Sequence, residues 1–242
     1  SESSQPQRSG PISLAGACVV REPESDATVC LAAAELARFL YLLTGTACPV
    51  DEAPPTEGTH VILNAAAGAE TGASGSDPDG QGYRIRAFRS PASCGVRIDG
   101  ESPVGVLYGV YRLLEELGMG FYAGGETYPD LPSVAHVAHG LDIHERPAFA
   151  VRGNLLHYNF LCGCTTWGIN DYEFYFDQLA RMRGNLLLMH WYDDEPGAAY
   201  EVDGEFLAGG ATPSSLSKPW GAQAALRTSQ FCFGTQRFFD EE

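Results

Sequence analysis

Between residues 12 and 118 the apolar positions alternate between two spacings. Val29, Ala33, Leu36, Leu40 and Leu43 recur at helical spacing, Asp26 stands where it can cap that helix, and Gly45 suits the left-handed position that ends it. ISLAGACVV (12–20) reads as one strand and THVILN (59–64) as a short buried one. In GYRIRAF (82–88), Tyr83, Ile85 and Ala87 alternate with Arg84 and Arg86. In CGVRIDG (94–100), Val96 and Ile98 alternate with Arg97 and Asp99. This period of two predicts an antiparallel pair with one buried and one wet face, joined through RSPAS as a hairpin loop.

Ser102-Pro103 opens a second helix, with Ser as N-cap and Pro in the first turn. Leu107, Val110, Leu114 and Leu117 form its apolar stripe, and Gly118 closes it. Gly105 and Gly109 lie four apart, which predicts close approach to the sheet, since a helical glycine otherwise costs about 1 kcal/mol. The Gly-rich stretch 65–81 reads as a surface loop, and Met119–Val137 as a longer loop. LDIHERP (141–147) leads into a second part. The expected architecture is a flexible tail over 1–10, then an α+β domain over 11–145 in the order β-α-β-β-β-α, with its helices on one sheet face.

From residue 146 the pattern changes. PAFAVRGNLLHYN (147–159) contains a strand, NDYEFYFDQLARMRG a helix, and NLLLMHW (185–191) a continuous apolar run suited to a parallel strand buried on both faces. Asn170 and Glu173 stand at capping-box spacing; Tyr172, Tyr175, Phe176, Leu179 and Met182 form the helix's apolar stripe, and Gly184 ends it. Strand, helix and strand make the opening βαβ unit of a (β/α)8 barrel, incomplete within 146–242 because a barrel takes roughly 250 residues. Two such strands alone would leave apolar edges open. After Pro196 a long Gly/Ser/Pro-containing excursion follows, and Phe231-Cys232-Phe233 finds no place in the pattern.

Composition narrows the functional classes. The net charge is −16, and Lys218 is the only lysine. Such a field repels phosphate backbones and anionic headgroups, so nucleic acid and membrane surfaces are not expected partners. No apolar run approaches the ~18 residues that suggest a membrane span. The polar start SESSQPQRSGP lacks the basic and apolar regions of a signal peptide but could follow a removed one, so targeting is not legible in the sequence. The seven cysteines lack the spacing of a disulfide scaffold. Cys162-Gly-Cys164 reads as small apolar residues around a loop, since no His/Cys pair completes a zinc set. No metal and no cofactor is expected.

The chemistry gathers at the strand ends. NLLLMHW runs into Tyr192-Asp193-Asp194-Glu195. Carboxylates accept hydrogen bonds from hydroxyls and aromatic rings pack on the apolar side of a pyranose, so the burst suits sugar recognition; the acids could equally cap the next element. Arg152, read as lying within a buried strand, needs a partner. A structural pair with Asp193 or Asp194 and a substrate-binding role stand as equal alternatives. His157 and His190 close the two strands and read as hydrogen-bonded wall residues ahead of catalysts. Trp167, beside Thr165-Thr166, is either a stacking platform or a packing residue. His136, His139 and His144 read as surface.

LAAAELARFLYLLTG, GVRIDGESPVGVLYGVYRLLEELGMGFY and ERPAFAVRG resemble the N-terminal domain of certain bacterial glycoside hydrolases. Among these are α-glucuronidases and β-N-acetylhexosaminidases, in which a small α+β domain precedes a catalytic (β/α)8 barrel. RMRGNLLLMHWYDDE is similar to the hexosaminidase second strand. The resemblance implies that Asn185 begins that strand, that His190, Asp193 and Asp194 line the pocket, and that Arg152 matches the arginine holding sugar hydroxyls. Leu188 stands where the family's first histidine would be, and Pro196 interrupts the Gly-Trp-Arg that often follows the acids.

The resemblance implies the front portion of a secreted or periplasmic glycoside hydrolase cleaving O-glycosidic bonds of poly- or oligosaccharides. Arg152, His190, Asp193, Asp194 and Trp167 would contact the carbohydrate. The two carboxyl groups such hydrolysis needs, ~5 Å apart for retention or ~6.5–9.5 Å for inversion, would come from later strands. The alternative is a non-catalytic carbohydrate-binding or assembly module, with self-association left open. A standalone enzyme using Asp193 and Asp194 as its acid–base pair is disfavoured, because neighbours on a strand point to opposite faces.

Overall fold

The structure is a computed structural model that describes residues 10–65, 80–130, 135–157, 164, 167, 169–190, 200–202 and 205–207. Strands β1 (Ile12–Ser13) and β2 (Cys18–Arg21) precede helix α1 (Ala27–Thr44). Strands β3 (Val50–Asp51), β4 (Gly58–Ala65), β5 (Tyr83–Arg89) and β6 (Ser93–Gly100) lead to helix α2 (Pro103–Glu116). Then come β7 (Gly120–Tyr122), β8 (Gly125–Thr127), β9 (His136–Val137), β10 (Asp142–Glu145) and β11 (Gly153–His157). Helix α3 (Ile169–Arg181), β12 (Leu186–His190), β13 (Tyr200–Val202) and β14 (Glu205–Leu207) complete the order. The chain divides into two compact units, Ser1–Ala150 with Arg181–Arg183, and Val151–Ala180 with Gly184–Glu242.

The first unit is built on a six-stranded sheet in the order β10-β5-β6-β4-β2-β3. β2 runs parallel to β3 and β4, and β4 parallel to β6; β5 is antiparallel to both β6 and β10. The alternation read in the sequence places Ile85 opposite Ile98 and Ala87 opposite Val96. Val19, Val61, Leu63, Ile85, Val96 and Ile98 join one buried cluster with Leu36, Phe39 and Leu40 of α1 and Val110, Leu113 and Leu114 of α2. Both helices therefore cover one sheet face. α1 is long and apolar enough to cross a membrane by length and composition; its buried face, Val29 through Leu43, belongs to this core.

The helix ends follow the expected chemistry. Thr28 N–H donates to Asp26 Oδ1 at 2.7 Å, which holds that carboxyl below its usual range, and Gly45 closes α1 with φ 68° and an N–H to the Tyr41 carbonyl. A Cβ on Gly105 would stand 2.5 Å from the Gly82 carbonyl oxygen, and one on Gly109 2.5 Å from Ile98 Cγ2. Helix and sheet touch through missing side chains, as the glycine spacing predicts.

Several expectations need correction. The strand read over 12–20 is broken: Ala17 N–H turns back to the Leu14 carbonyl around Gly16, whose φ of 69° suits glycine, and β1 pairs with β9 instead. The supposed loop from Met119 contains the β7–β8 hairpin, because Phe121 is drawn into the core against Phe39 and Tyr111. Residues 142–145 are the sheet's edge strand, with Ile143 opposite Ile85, and not merely a lead-in. The β-α-β-β-β-α order thus omits short strands, β7 and β8 in a local hairpin and β9 and β10 paired at long range.

The helix-free face is also less wet than predicted. Asp99 is only 5% exposed. It accepts from Asn64 Nδ2 at 2.9 Å, Arg97 Nε at 2.7 Å and Arg86 at 3.0 Å. Burial alone would push its carboxyl up, but these donors outweigh that and hold it below the ordinary range. On the same sheet His60, 2% exposed, has no hydrogen-bond partner at either ring nitrogen.

The segment leaving this unit is fastened by side chains. Tyr83 donates its hydroxyl proton to Glu145 at 2.7 Å, Arg112 Nε reaches the other Glu145 oxygen at 3.1 Å, and Arg146 pairs with Glu101. Buried Gln81 donates Nε2–H to the Ala150 carbonyl at 2.8 Å. Burial opposes ionisation of Glu145, but its hydrogen bonds from Tyr83 and Arg112 prevail and lower it.

Candidate functional site

In the second unit β11 and β12 pair in parallel, from Gly153 opposite Leu186 to His157 opposite His190. The join at their start is tight. Arg152 N–H donates to Asn185 Oδ1 at 2.8 Å, while Asn185 N–H and Leu186 N–H both reach the Arg152 carbonyl, at 2.7 and 3.0 Å. Gly153 is required there, since a Cβ would fall 1.9 Å from the Leu186 carbonyl oxygen. Asn185 thus sets the register by satisfying backbone groups that the ladder leaves open.

α3 covers one face of this pair. Asn154 Nδ2 donates to the Tyr175 hydroxyl at 2.7 Å, and Tyr175 and Leu179 are buried. Tyr175 in turn meets the Trp167 ring at 5.2 Å between centroids, and Tyr172 meets it edge-on at 5.3 Å. Trp167 N–H donates to the Cys164 carbonyl at 3.1 Å, and Cys164 is fully buried, as the apolar reading of that cysteine predicts. Trp167 is half-buried.

Local details of α3 differ from expectation. The helix begins at Ile169, so Asn170 lies inside the first turn and not at the cap. Phe176 of the predicted apolar stripe is 47% exposed. Gly184 donates to the Leu179 carbonyl, but the left-handed residue at the helix end is Arg183, with φ 63°. The second strand is not buried on both faces: Leu188 is 50% exposed, Leu186 37% and, on β11, Leu155 48%. With α3 on the Asn154 side, the alternate positions Leu155, Leu186 and Leu188 form an open apolar face.

The candidate site residues fall into three groups. His157 and His190 are register partners at the C-terminal end of the parallel pair, where the chain enters the 191–195 segment. Arg152 is half-buried and stands just before β11, not inside a buried strand. It lies at the opposite end of the pair, about 16 Å from the His157–His190 level at ~3.3 Å per residue. The backbone therefore does not bring Arg152 together with His190. Trp167 follows β11 and is held by Tyr172 and Tyr175. Asp193 and Asp194 lie outside the described residues, as do Tyr192, Glu195, Cys162 and the 65–81 loop from residue 66 to residue 79. His136, His139 and His144 are exposed. Among the described residues no group of three or more His, Cys, Asp or Glu could hold a metal ion.

The Asn154–Tyr175 hydrogen bond was not foreseen from the sequence. The available signal was Tyr175 on the buried stripe of α3, where a phenol needs a polar partner.

No family model matches the chain, and no curated protein matches it. Solved structures do. The chain is similar to Streptomyces plicatus N-acetyl-β-hexosaminidase in complex with Thio-NAglucal, with TM-score 0.51 and 23% identity over 76% of this chain and 32% of that one. It is similar to a family GH115 4-O-methyl-α-glucuronidase with specificity for decorated arabinogalactans, with TM-score 0.53 and 16% identity over 72% and 25% of the two chains. CpGH84D gives TM-score 0.52 and 12% identity over 76% and 29%. The chain spans a third or less of these proteins. At such identities the likeness is one of fold alone: a mixed α+β arrangement of the helices and sheets described above, shared with part of each of these proteins.

Proposed function

We propose that this chain is the front portion of a glycoside hydrolase acting on O-glycosidic bonds of poly- or oligosaccharides. In this reading residues 11–145 are the accessory α+β domain, and 146–242 begin a (β/α)8 barrel that supplies part of the sugar pocket. The observation that carries the reading is the fold likeness over about three quarters of the chain to a hexosaminidase, and to a glucuronidase at similar coverage. The parallel β11–β12 pair supports it, because its C-terminal end is where a barrel gathers its chemistry.

His190, Asp193 and Asp194 then line the rim, Trp167 offers an aromatic face, and Arg152 contributes from the far end of the first strand. The general acid and its partner carboxylate come from later strands. The test is a panel of aryl glycosides and acidic oligosaccharides given to the full-length protein. Release of aglycone or of sugar is expected with at least one substrate; no turnover across the panel counts against hydrolysis.

A second reading, a non-catalytic carbohydrate-binding or assembly module, draws on the open Leu155–Leu186–Leu188 face. It predicts heat on titration with a glycan but no product. Calorimetry without heat for any glycan removes it.

A further inference from the structure

The described part of the second unit holds one chain of contacts running from a strand through a helix to the aromatic side chain of Trp167. Asn154 on β11 donates to the Tyr175 hydroxyl at 2.7 Å, and the Tyr175 ring packs on Trp167 at 5.2 Å with a 51° tilt. Tyr175 is buried midway along α3, so its ring has little freedom once the hydroxyl is pinned. Tyr172, one turn earlier, closes a second side of the indole edge-on at 5.3 Å, and Trp167 N–H is tied to the Cys164 carbonyl. Trp167 is nevertheless not fully buried and keeps part of its surface accessible.

An indole that packs only for stability gains most by full burial. Here the ring is braced from two sides and by its backbone, yet keeps accessible surface. An aromatic ring with one part fixed in protein and another facing outward is suited to the apolar face of a pyranose. A pinned ring loses less rotamer freedom on binding, which improves affinity.

We propose that Asn154 and Tyr175 are positioning residues that hold the Trp167 indole as a stacking surface for a saccharide ring. The proposal rests on the sugar-directed reading above and assigns that reading a support that composition and spacing did not reveal. Neither residue touches the sugar. Asn154 acts through the Tyr175 hydroxyl, and Tyr175 acts through its ring.

The experiment uses the full chain and two readouts. The first is the near-ultraviolet circular dichroism of Trp167, isolated as the difference between the protein and its W167F variant; this signal reports the Trp–Tyr geometry and needs no sugar. The second is titration with N-acetylglucosamine, glucose and glucuronic acid, each added separately. Y175F keeps the ring and removes the hydroxyl, N154L removes the donor, and N154D restores a partner by accepting the Tyr175 proton.

The expected result is a weakened Trp167 band and roughly five- to tenfold weaker binding in Y175F and N154L, with N154D close to the parent and W167A at least as weak as either. An unchanged band in both Y175F and N154L overturns the positioning role. A changed band with sugar binding intact in W167A overturns the stacking role. If the parent binds none of the three sugars, the sugar-directed reading fails and takes the stacking role with it, whatever the dichroism shows.

Discussion

The molecule contains the same local motif twice, and the two copies differ instructively. In β2-α1-β4 and in β11-α3-β12, two parallel strands flank a helix that covers one of their faces. In the first, Cys18, Val19 and Val20 are all buried, so both faces of β2 are closed. In the second, Leu155 and Leu188 sit opposite each other and stay half-exposed. The strands of the second are no less apolar than those of the first, although α3 is more polar than α1. What differs is the number of neighbours: β2 and β4 sit within six strands, whereas β11 and β12 pair with each other alone among the described residues. A parallel strand is stable when covered on both sides, and this cover comes from the rest of a sheet and not from the motif.

Substitutions that open the closed copy or close the open one would sharpen this contrast. The largest effect belongs to Phe39→Ala. Phe39 is fully buried, packs edge-on against Phe121, and lies 4.0 Å beneath the Arg38 guanidinium. Its loss should cost about 4 kcal/mol, read as a lowered midpoint in urea for the first unit. A change below about 1 kcal/mol would mean that this core is looser than its burial suggests.

Asp99→Asn should cost about 2 kcal/mol, because it removes the charge that Arg86 and Arg97 share. It should also reshape the acid limb. A carboxyl held below its unfolded value of ~3.9 stabilises fully above that pH, and the gain is lost as pH falls through the lower folded value. The parent should therefore lose stability in steps as Asp99 and Glu145 protonate. The Asn variant should show a shallower decline below about pH 4; an unchanged slope in acid titration by circular dichroism would contradict the assignment.

His60→Leu goes the other way. Replacing a buried imidazole without hydrogen bonds by an apolar side chain should raise stability by about 1 kcal/mol. A drop in melting temperature would show that His60 has a partner in solution. The smallest effect is expected in the open copy: Leu188→Ser should shift unfolding by no more than about 0.5 kcal/mol, while lowering binding of a hydrophobic dye. A large loss would show that the Leu188 face is covered.

The features legible in advance were those decided within a few residues. Asp26 and Ser102 cap their helices, Gly45 ends α1, and the alternating Tyr83–Arg89 and Ser93–Gly100 strands pair as their spacing requires. Gly105 and Gly109 announced close packing because helical glycine is otherwise unfavourable. The misses share a different origin. β7, β8 and β9 are too short for periodicity to register, and β10 depends on a partner more than fifty residues away in β5. Gly184 reads as the end of α3, whereas Arg183, itself part of the first unit, takes the left-handed conformation and pairs with Glu115.

The candidate site residues were chosen by type, and type does not give place. Strand-end histidines and a loop tryptophan could be picked out because polar and aromatic residues interrupt an apolar run. Their mutual distances could not, since register decides them. One hydrogen bond from Arg152 N–H to Asn185 puts that arginine at the beginning of the ladder, a strand's length from His190.

Gln81, which holds the Ala150 carbonyl, has a practical corollary for anyone dissecting the chain. A peptide bond enters a protease cleft only when its backbone is free to extend, and the stretch from Glu145 to Ala150 is latched at one end by Tyr83 of β5 and at the other by Gln81 just before that strand. Brief digestion with a protease of broad specificity should spare the stretch from Glu145 to Ala150, and fragments engineered for expression should retain Gln81 together with Ala150 or lack both.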